Sequence, residues 1–308
     1  MSGHFELTAP PRLSRATVMR DELVRSDPAR LRSAWQDGVV IQVDPRGRVA
    51  VQDGALVRSP ASELGPEPVG EAVLLGEDAG RDVWAVSVPW LPAPEAGRVE
   101  TVELRSDGAA LDATDAAMLA TATALLGWHA KAGFCSVCGA PTESELAGWT
   151  RRCVRNGHEE YPRTDPAVIC LVHDGADQVL LGRQPSWPPG RFSVLAGFVE
   201  AGESLEACVQ REISEEVGVA VTDIHYLGSQ PWPFPRSIML GFQATADPSD
   251  PVLPRDGEIA EAYWFSRDQV RAALNAGDWT GVADGERPLL LPGSVSIARG
   301  MLESWALQ

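Results

Sequence analysis

The chain has 308 residues, 44% of them hydrophobic and 22% charged, with a formal net charge of −17. That balance excludes a mostly disordered chain, and no stretch reaches the ~18 consecutive apolar residues of a membrane span. Such acidity opposes extended nonspecific nucleic-acid binding, whose affinity comes from cationic contacts. The N-terminus, MSGHFELTAPPRLSR, lacks a signal-peptide pattern, so a cytoplasmic location is expected.

Residues up to about 110 are rich in Pro, Gly, Asp and Val. Short runs such as Val39–Val43, Val49–Val51, Glu71–Gly76 and Asp82–Val88 read as strands separated by turn signals, which predicts a small, mainly β domain without a chemical motif. An Ala- and Leu-rich stretch from Asp112 to Ala132 predicts a helix started by Asp112 or Thr114. Beyond Tyr161 the texture changes. Ala167–Val172 reads as a buried strand and Val179–Gly182 as a second, with a Pro- and Trp-containing loop from Gln184 to Phe192. Strand character resumes over Ser193–Val199, and Leu205–Val217 reads as a helix stopped by Gly218. Further strands are predicted near Ile224–Leu227, Ser237–Ala244 and Ala262–Phe265, then a helix over Ser266–Ala276. Irregular alternation of this kind points to an α+β or α/β sandwich.

Two segments carry chemistry. Cys135-Ser-Val-Cys138 is a CxxC knuckle followed by Gly139; Cys153 and His158 come after it. Three thiolates and an imidazole suit a closed, structural zinc site. The alternative is ordinary buried cysteines with His158 on a surface turn. The second segment runs from Gly197 to Val219. On a helix, Glu212 and Glu216 stack at i and i+4, with Glu215 beside them, on the stripe that also carries Leu205, Cys208 and Val209. Carboxylates that continue an apolar stripe face inward and need a partner, for which a hard divalent cation is the economical choice. Arg211, at i−4 from Glu215, is placed to fix that side chain. An exposed helix with Glu–Arg pairs is the plainer reading.

This second segment resembles the Nudix box, GX5EX7REUXEEXGU with U apolar, at every specified position: Gly197, Glu203, Arg211, Glu212, Ile213, Glu215, Glu216, Gly218 and Val219. Ser229-Gln-Pro-Trp-Pro-Phe-Pro-Arg-Ser237 is similar to the SQPWPFPxS signature of the NADH pyrophosphatase subfamily, as are the knuckle, Tyr161-Pro162-Arg163 and the stretch Leu290–Arg299. One departure is Asn156, at the place where that subfamily has its fourth zinc cysteine; His158 is the nearest substitute.

The resemblance implies a Nudix α/β/α sandwich over residues 163–308, preceded by a zinc ribbon over 129–162 and a smaller, mainly β domain over 1–128. It implies Mg²⁺- or Mn²⁺-dependent hydrolysis of NAD(H) to nicotinamide mononucleotide and AMP, with removal of NAD caps from RNA 5′ ends as the same chemistry, in a homodimer. Glu212, Glu215 and Glu216 would hold metal with the Ala196 carbonyl. Glu203 would orient the loop or a metal-bound water, and Glu258, in Asp256-Gly-Glu-Ile, would bind metal or act as general base. Zinc would take Cys135, Cys138, Cys153 and His158. The substrate would meet Tyr161, Phe198, Gln230, Pro231, Trp232, Pro233, Phe234, Pro235, Arg236, Ser237 and Ala298. Alternating prolines stiffen residues 230–235 and exclude a regular central strand, presenting Trp232 and Phe234 as flat stacking faces. The alternatives are a Nudix hydrolase of ADP-ribose or another nucleoside diphosphate derivative, and a non-enzymatic zinc-ribbon and nucleotide-binding module.

Overall fold

Alternate residues of one nearly continuous apolar strand organise the C-terminal half of the chain. In the computed structural model, which describes residues 4–91, 99–254, 257–281 and 288–308, this strand is Asp165–His173. Val168, Cys170 and Val172 point into one core with Cys208, Val209, Ile213 and Val217 of the Leu205–Val217 helix. Ile169 and Leu171 point into a second core with Val270 of the Arg267–Ala276 helix and Met301, Leu302 and Trp305 of the Ile297–Ala306 helix. A strand buried on both faces cannot alternate apolar and polar residues, which is why its sequence is a plain hydrophobic run. Helices on both faces of a mixed sheet make the expected α/β/α sandwich.

The strands of this sheet lie in the order Thr222–Trp232, Ser237–Thr245, Asp165–His173, Gln178–Arg183, Glu261–Ser266. Leu195–Phe198 pairs antiparallel with Asp165–His173, setting Ala196 opposite Ile169 and Gly197 opposite Val168. The central strand and Ser237–Thr245 run parallel, with Asp165 opposite Ser237. Thr222–Trp232 is longer than the short run predicted around Ile224–Leu227 and includes Pro231. As the end strand of the order, it tolerates a residue that cannot donate to the ladder, so the prolines bar a central position and permit this one.

By packing, the chain divides into two compact units, one of Met1–Ser14, Asp165–Pro231 and Ser237–Gln308, the other of Arg15–Thr164 and Trp232–Arg236. The first residues therefore go with the sandwich, although they are far from it in sequence. Phe5 is buried in the Trp305-side core. Its N–H donates to Gln243 Oε1 (3.1 Å) and its carbonyl accepts from Gln243 Nε2 (2.7 Å). Thr8 N–H donates to Ser304 Oγ (3.0 Å).

The other unit carries a sheet in the order Ala55–Leu56, Arg48–Gln52, Val39–Val43, Arg81–Ser87, Val73–Asp78; Ser59–Pro60 pairs with the central strand and Val99–Glu103 with Arg48–Gln52. Helix Ala113–His129 is capped by Asp112, whose side chain accepts from Asp115 N–H. Helix Pro28–Gln36, absent from the sequence reading, buries Trp35 edge-to-face on Trp84. Its signals are the Asp27 cap and Pro28 in the first turn. Thr142–Glu145, Thr150–Cys153 and Glu159–Glu160 form a separate three-stranded sheet. Among the described residues no helix is long and apolar enough to cross a membrane.

Gln243 is 2% exposed, so a Gln243→Leu variant buries the Phe5 N–H and C=O without partners. Each unmade bond costs about 1–3 kcal/mol. The expected result is a lower urea midpoint and faster amide exchange over residues 5–8, read by exchange mass spectrometry.

Candidate active site

Strand Leu195–Phe198 delivers the chain to a loop, and Ser204 starts the helix by accepting from Ala207 N–H (3.2 Å). The helix spans Leu205–Val217 as predicted, and Gly218 ends it in the left-handed conformation (φ 74°). Gly197 faces this helix so closely that a Cβ there would lie 1.8 Å from the Glu212 carboxylate carbon. Only glycine lets the carboxylate rest against the strand.

Arg211 binds the loop to the helix. It donates from Nε to Glu203 Oε1 (2.8 Å) and from Nη2 to Glu203 Oε2 (2.9 Å) and the Phe198 carbonyl (2.9 Å). Its Nη1 donates to Glu215 Oε2 (2.9 Å) and lies 3.0 Å from Glu212 Oε1. Helical spacing pairs Arg211 with Glu215 alone; the structure gives it three carboxylates and a carbonyl. The Arg211 hydrogen bonds hold the Glu203 carboxyl at about 2, with help from the Glu200 N–H. Glu203 is thus an ionised brace that orients the loop.

Glu216 is the inward member of the set. It is 5% exposed, and its Oε2 has no hydrogen-bond partner. Burial, then the charges of Glu212 and Glu258, push its carboxyl up to about 8, and a backbone hydrogen bond at Ala196 offsets this only partly. Burial also raises Glu212, against the pull of Arg211, with Glu215 and Glu258 adding to the rise. Glu258 is exposed but acts on both; its neighbour Asp256 lies outside the described residues. Glu215 is half-exposed and committed to Arg211. A buried carboxylate with a bare oxygen, beside a second one and under the charge of a third, has the donor chemistry of a hard divalent cation site. Phe198 ends the Leu195–Phe198 strand with its ring 59% exposed.

The SQPWPFPRS block divides by role. Gln230 is fully buried: its Nε2 donates to the Val295 carbonyl (2.9 Å) and its Oε1 accepts from Leu13 N–H (3.3 Å). Ala298 lies in the Trp305-side core. The resemblance places both at the substrate; here the Gln230 side chain is engaged by two backbone groups and the Ala298 methyl is packed in the core. Ser237 and Pro233 are buried, while Pro231, Pro235 and Arg236 are exposed. Trp232 and Phe234 form an edge-to-face pair 5.0 Å apart, with the Arg105 guanidinium 5.9 Å from the Phe234 ring. Tyr161 is 59% exposed and donates its hydroxyl to Glu159.

In the smaller sheet the sulfurs of Cys135, Cys138 and Cys153 lie within 4.8 Å of one another, those of Cys138 and Cys153 3.5 Å apart. Such a soft donor set fits zinc. Backbone N–H groups of Asn156 and Arg155 outweigh burial and bring the Cys153 thiol down to about 7. His158, expected as the fourth donor, is not among the converging atoms. Its Nε2 lies 3.7 Å from Glu160 Oε1, on a partly exposed turn.

Without metal, the raised Glu216 carboxyl keeps its proton in the folded state to about 8, whereas the unfolded chain releases it near 4.5. The folded state then binds more protons across that window, so stability falls as pH rises, by at most about 1.4 kcal/mol per pH unit for this group. Thermal melts of chelator-treated protein should show this decline between pH 5 and 8. Glu216→Gln should flatten it and melt several degrees higher at pH 8.

A NUDIX domain model matches residues 163–284, an NADH pyrophosphatase zinc ribbon model residues 130–161, and an NADH pyrophosphatase-like rudimentary NUDIX domain model residues 29–128. The last covers the mainly β N-terminal region, which carries no chemical motif of its own. The NAD-capped RNA hydrolases NudC of Mycobacterium bovis and Mycobacterium tuberculosis are each 51% identical over 304 residues, covering 98% of this chain and 96% of theirs. The mitochondrial NAD(P)H pyrophosphatase NUDT13 of Homo sapiens is 42% identical over 207 residues, covering 66% of this chain and 58% of its own length. With its box helix, its inward glutamates and this near full-length likeness, the chain belongs to the Nudix hydrolases, in the NADH pyrophosphatase subfamily.

Proposed function

We propose that the chain hydrolyses the pyrophosphate of NAD(H) to nicotinamide mononucleotide and AMP, and removes NAD caps from RNA 5′ ends. The observation that carries the reading is the buried Glu216 with its bare oxygen beside Glu212 on the box helix, in a chain half identical to NAD-capped RNA hydrolases. Water adds to one phosphorus, the bridging P–O bond breaks, and each nucleotide leaves with its own phosphate.

Glu212 and Glu216 would hold Mg²⁺ or Mn²⁺, with Glu215, Glu258 and the Ala196 carbonyl completing the set. Bound there, the ions neutralise pyrophosphate charge and lower the pKa of water. The chain's own residues do the rest. Arg211 fixes the height of the helix against the loop through Glu203 and the Phe198 carbonyl. Gly197 admits the Glu212 carboxylate. Glu258, being exposed, is assigned to take the water's proton and pass it to solvent. Phe198 offers an open face on which a nucleotide base stacks, a contact worth about 1–3 kcal/mol. Trp232, Phe234 and Tyr161 are the further aromatic faces of the reading. The net charge of −17 favours a short 5′ end over a long RNA footprint. Zinc in the three-thiol cluster serves structure rather than chemistry.

Product analysis with NADH, with and without Mg²⁺ or Mn²⁺, should give AMP and reduced nicotinamide mononucleotide only with metal. Glu216→Gln should lower kcat by roughly a hundredfold or more, about 3 kcal/mol of transition-state stabilisation. No cleavage of NADH by folded wild-type protein, with turnover of ADP-ribose, would move the assignment to another nucleoside diphosphate derivative. Phe198→Ala should raise KM roughly tenfold with kcat little changed, as loss of one stacking contact requires.

A further inference from the structure

The thiol cluster is built from two turns of the same form. In the first, Gly139 N–H donates to the Cys135 carbonyl (2.9 Å), and Gly139 is left-handed (φ 69°). In the second, Gly157 N–H donates to the Cys153 carbonyl (3.0 Å), and Gly157 is left-handed (φ 71°). Superposed in register, Cys135 matches Cys153 and Cys138 matches Asn156. Asn156 thus occupies the corner from which a fourth thiolate would come. Its side chain is exposed, and its Oδ1 accepts from His158 N–H (2.9 Å).

No other soft or imidazole donor of this unit can fill that corner as folded. All five cysteines and all five histidines of the sequence are among the described residues. Both ring nitrogens of His129 are engaged, Nε2 with the Gly148 carbonyl (2.9 Å) and Nδ1 with Arg151 Nη1 (2.8 Å). His158 lies outside the converging group, turned to Glu160, and Glu160 Oε1 is itself taken by Ser136 N–H (2.6 Å). Cys170 and Cys208 are buried in the core of the sandwich. Cys138 is only partly buried, and its neighbour Val137 and the Cys153 neighbour Val154 are 66% and 54% exposed, so a small molecule can approach.

We propose that this is a three-thiolate zinc site whose fourth coordination position is filled from solvent, by water or by an exchangeable small donor such as an imidazole or a thiol. Asn156 is the residue that keeps it open. The proposal rests on the zinc reading of the cluster. An incoming ligand displaces the solvent ligand with no change in oxidation state, so the site is a substitution site and not a redox one.

Metal analysis of the purified full chain tests the zinc reading separately, with one zinc per chain expected. Replacing that zinc by Co²⁺ tests the open position through its visible spectrum. Titrating imidazole into the wild-type protein should shift the ligand-field bands, and His158→Ala should show the same starting spectrum and the same shift. Asn156→Cys should gain the stronger sulfur-to-metal absorption of a four-thiolate site, stop responding to imidazole, and hold zinc roughly tenfold or more tightly against a competing chelator. A wild-type spectrum indifferent to imidazole, altered in His158→Ala or in Asn156→Ala, would overturn the proposal in favour of a site closed by that side chain. Binding of neither zinc nor cobalt would remove the metal reading itself.

Discussion

Everything in the catalytic half follows from one uncomfortable arrangement, a carboxylate turned into a protein core with half its hydrogen-bonding capacity unused. An ionised Glu216 in that position is opposed by burial and by two neighbouring carboxylates. The fold tolerates it because the remainder of the helix is anchored hard. Cys208, Val209, Ile213 and Val217 are buried against the sheet, Ser204 and Gly218 fix the ends, and Arg211 ties the middle to the preceding loop. The helix cannot rotate to release Glu216 to solvent without withdrawing four apolar side chains. Strain of this kind is what a binding site for a cation requires: the folded chain holds the donors together although they repel.

Arg211 shows how the repulsion is limited. A single guanidinium meets Glu203, Glu215 and Glu212, and none of its contacts reaches Glu216. The charges nearest the loop are paired within the protein, while the innermost carboxylate keeps one oxygen without a hydrogen-bond partner. This separates the box glutamates into three that meet the guanidinium and Glu216, which does not. Glu203 is held ionised by Arg211, whereas Glu216 has its carboxyl raised. The Gly197–Glu212 approach belongs to the same logic, since a methyl group on that strand would displace the Glu212 carboxylate.

Much of this was legible in the sequence because the signals are local. The Leu205–Val217 helix has its cap, its stop glycine and its apolar stripe all within a few turns, and the inward phase of Glu212 and Glu216 could be read against Cys208 and Val209. The Asp165–His173 strand was equally plain, being apolar on both faces. What escaped was non-local. Nothing near Phe5 announces that its backbone will be paired by Gln243, 238 residues away. The Ile297–Ala306 helix, whose Met301, Leu302 and Trp305 complete one core, has helical spacing and a Ser296 cap. The same stretch resembles a family segment, and Ala298, which that resemblance places at the substrate, is buried in this core.

The SQPWPFPRS block makes the same point at the scale of single residues. Read as a unit it looks like a substrate signature, yet its members answer to different forces. Gln230 is spent on two backbone partners that would otherwise be buried unpaired, one of them in the N-terminal segment. Pro231 is admissible because its strand ends the sheet order. Trp232 and Phe234 hold each other edge-to-face, which fixes the direction of both rings. A polar side chain in such a block reads as a ligand contact only while its burial is unknown. Once it is fully enclosed, the cost of leaving backbone groups unpaired explains it without a ligand. The aromatic pair is partly exposed, alongside the exposed Pro231, Pro235 and Arg236, and a rigid ring loses less entropy on stacking than a free one.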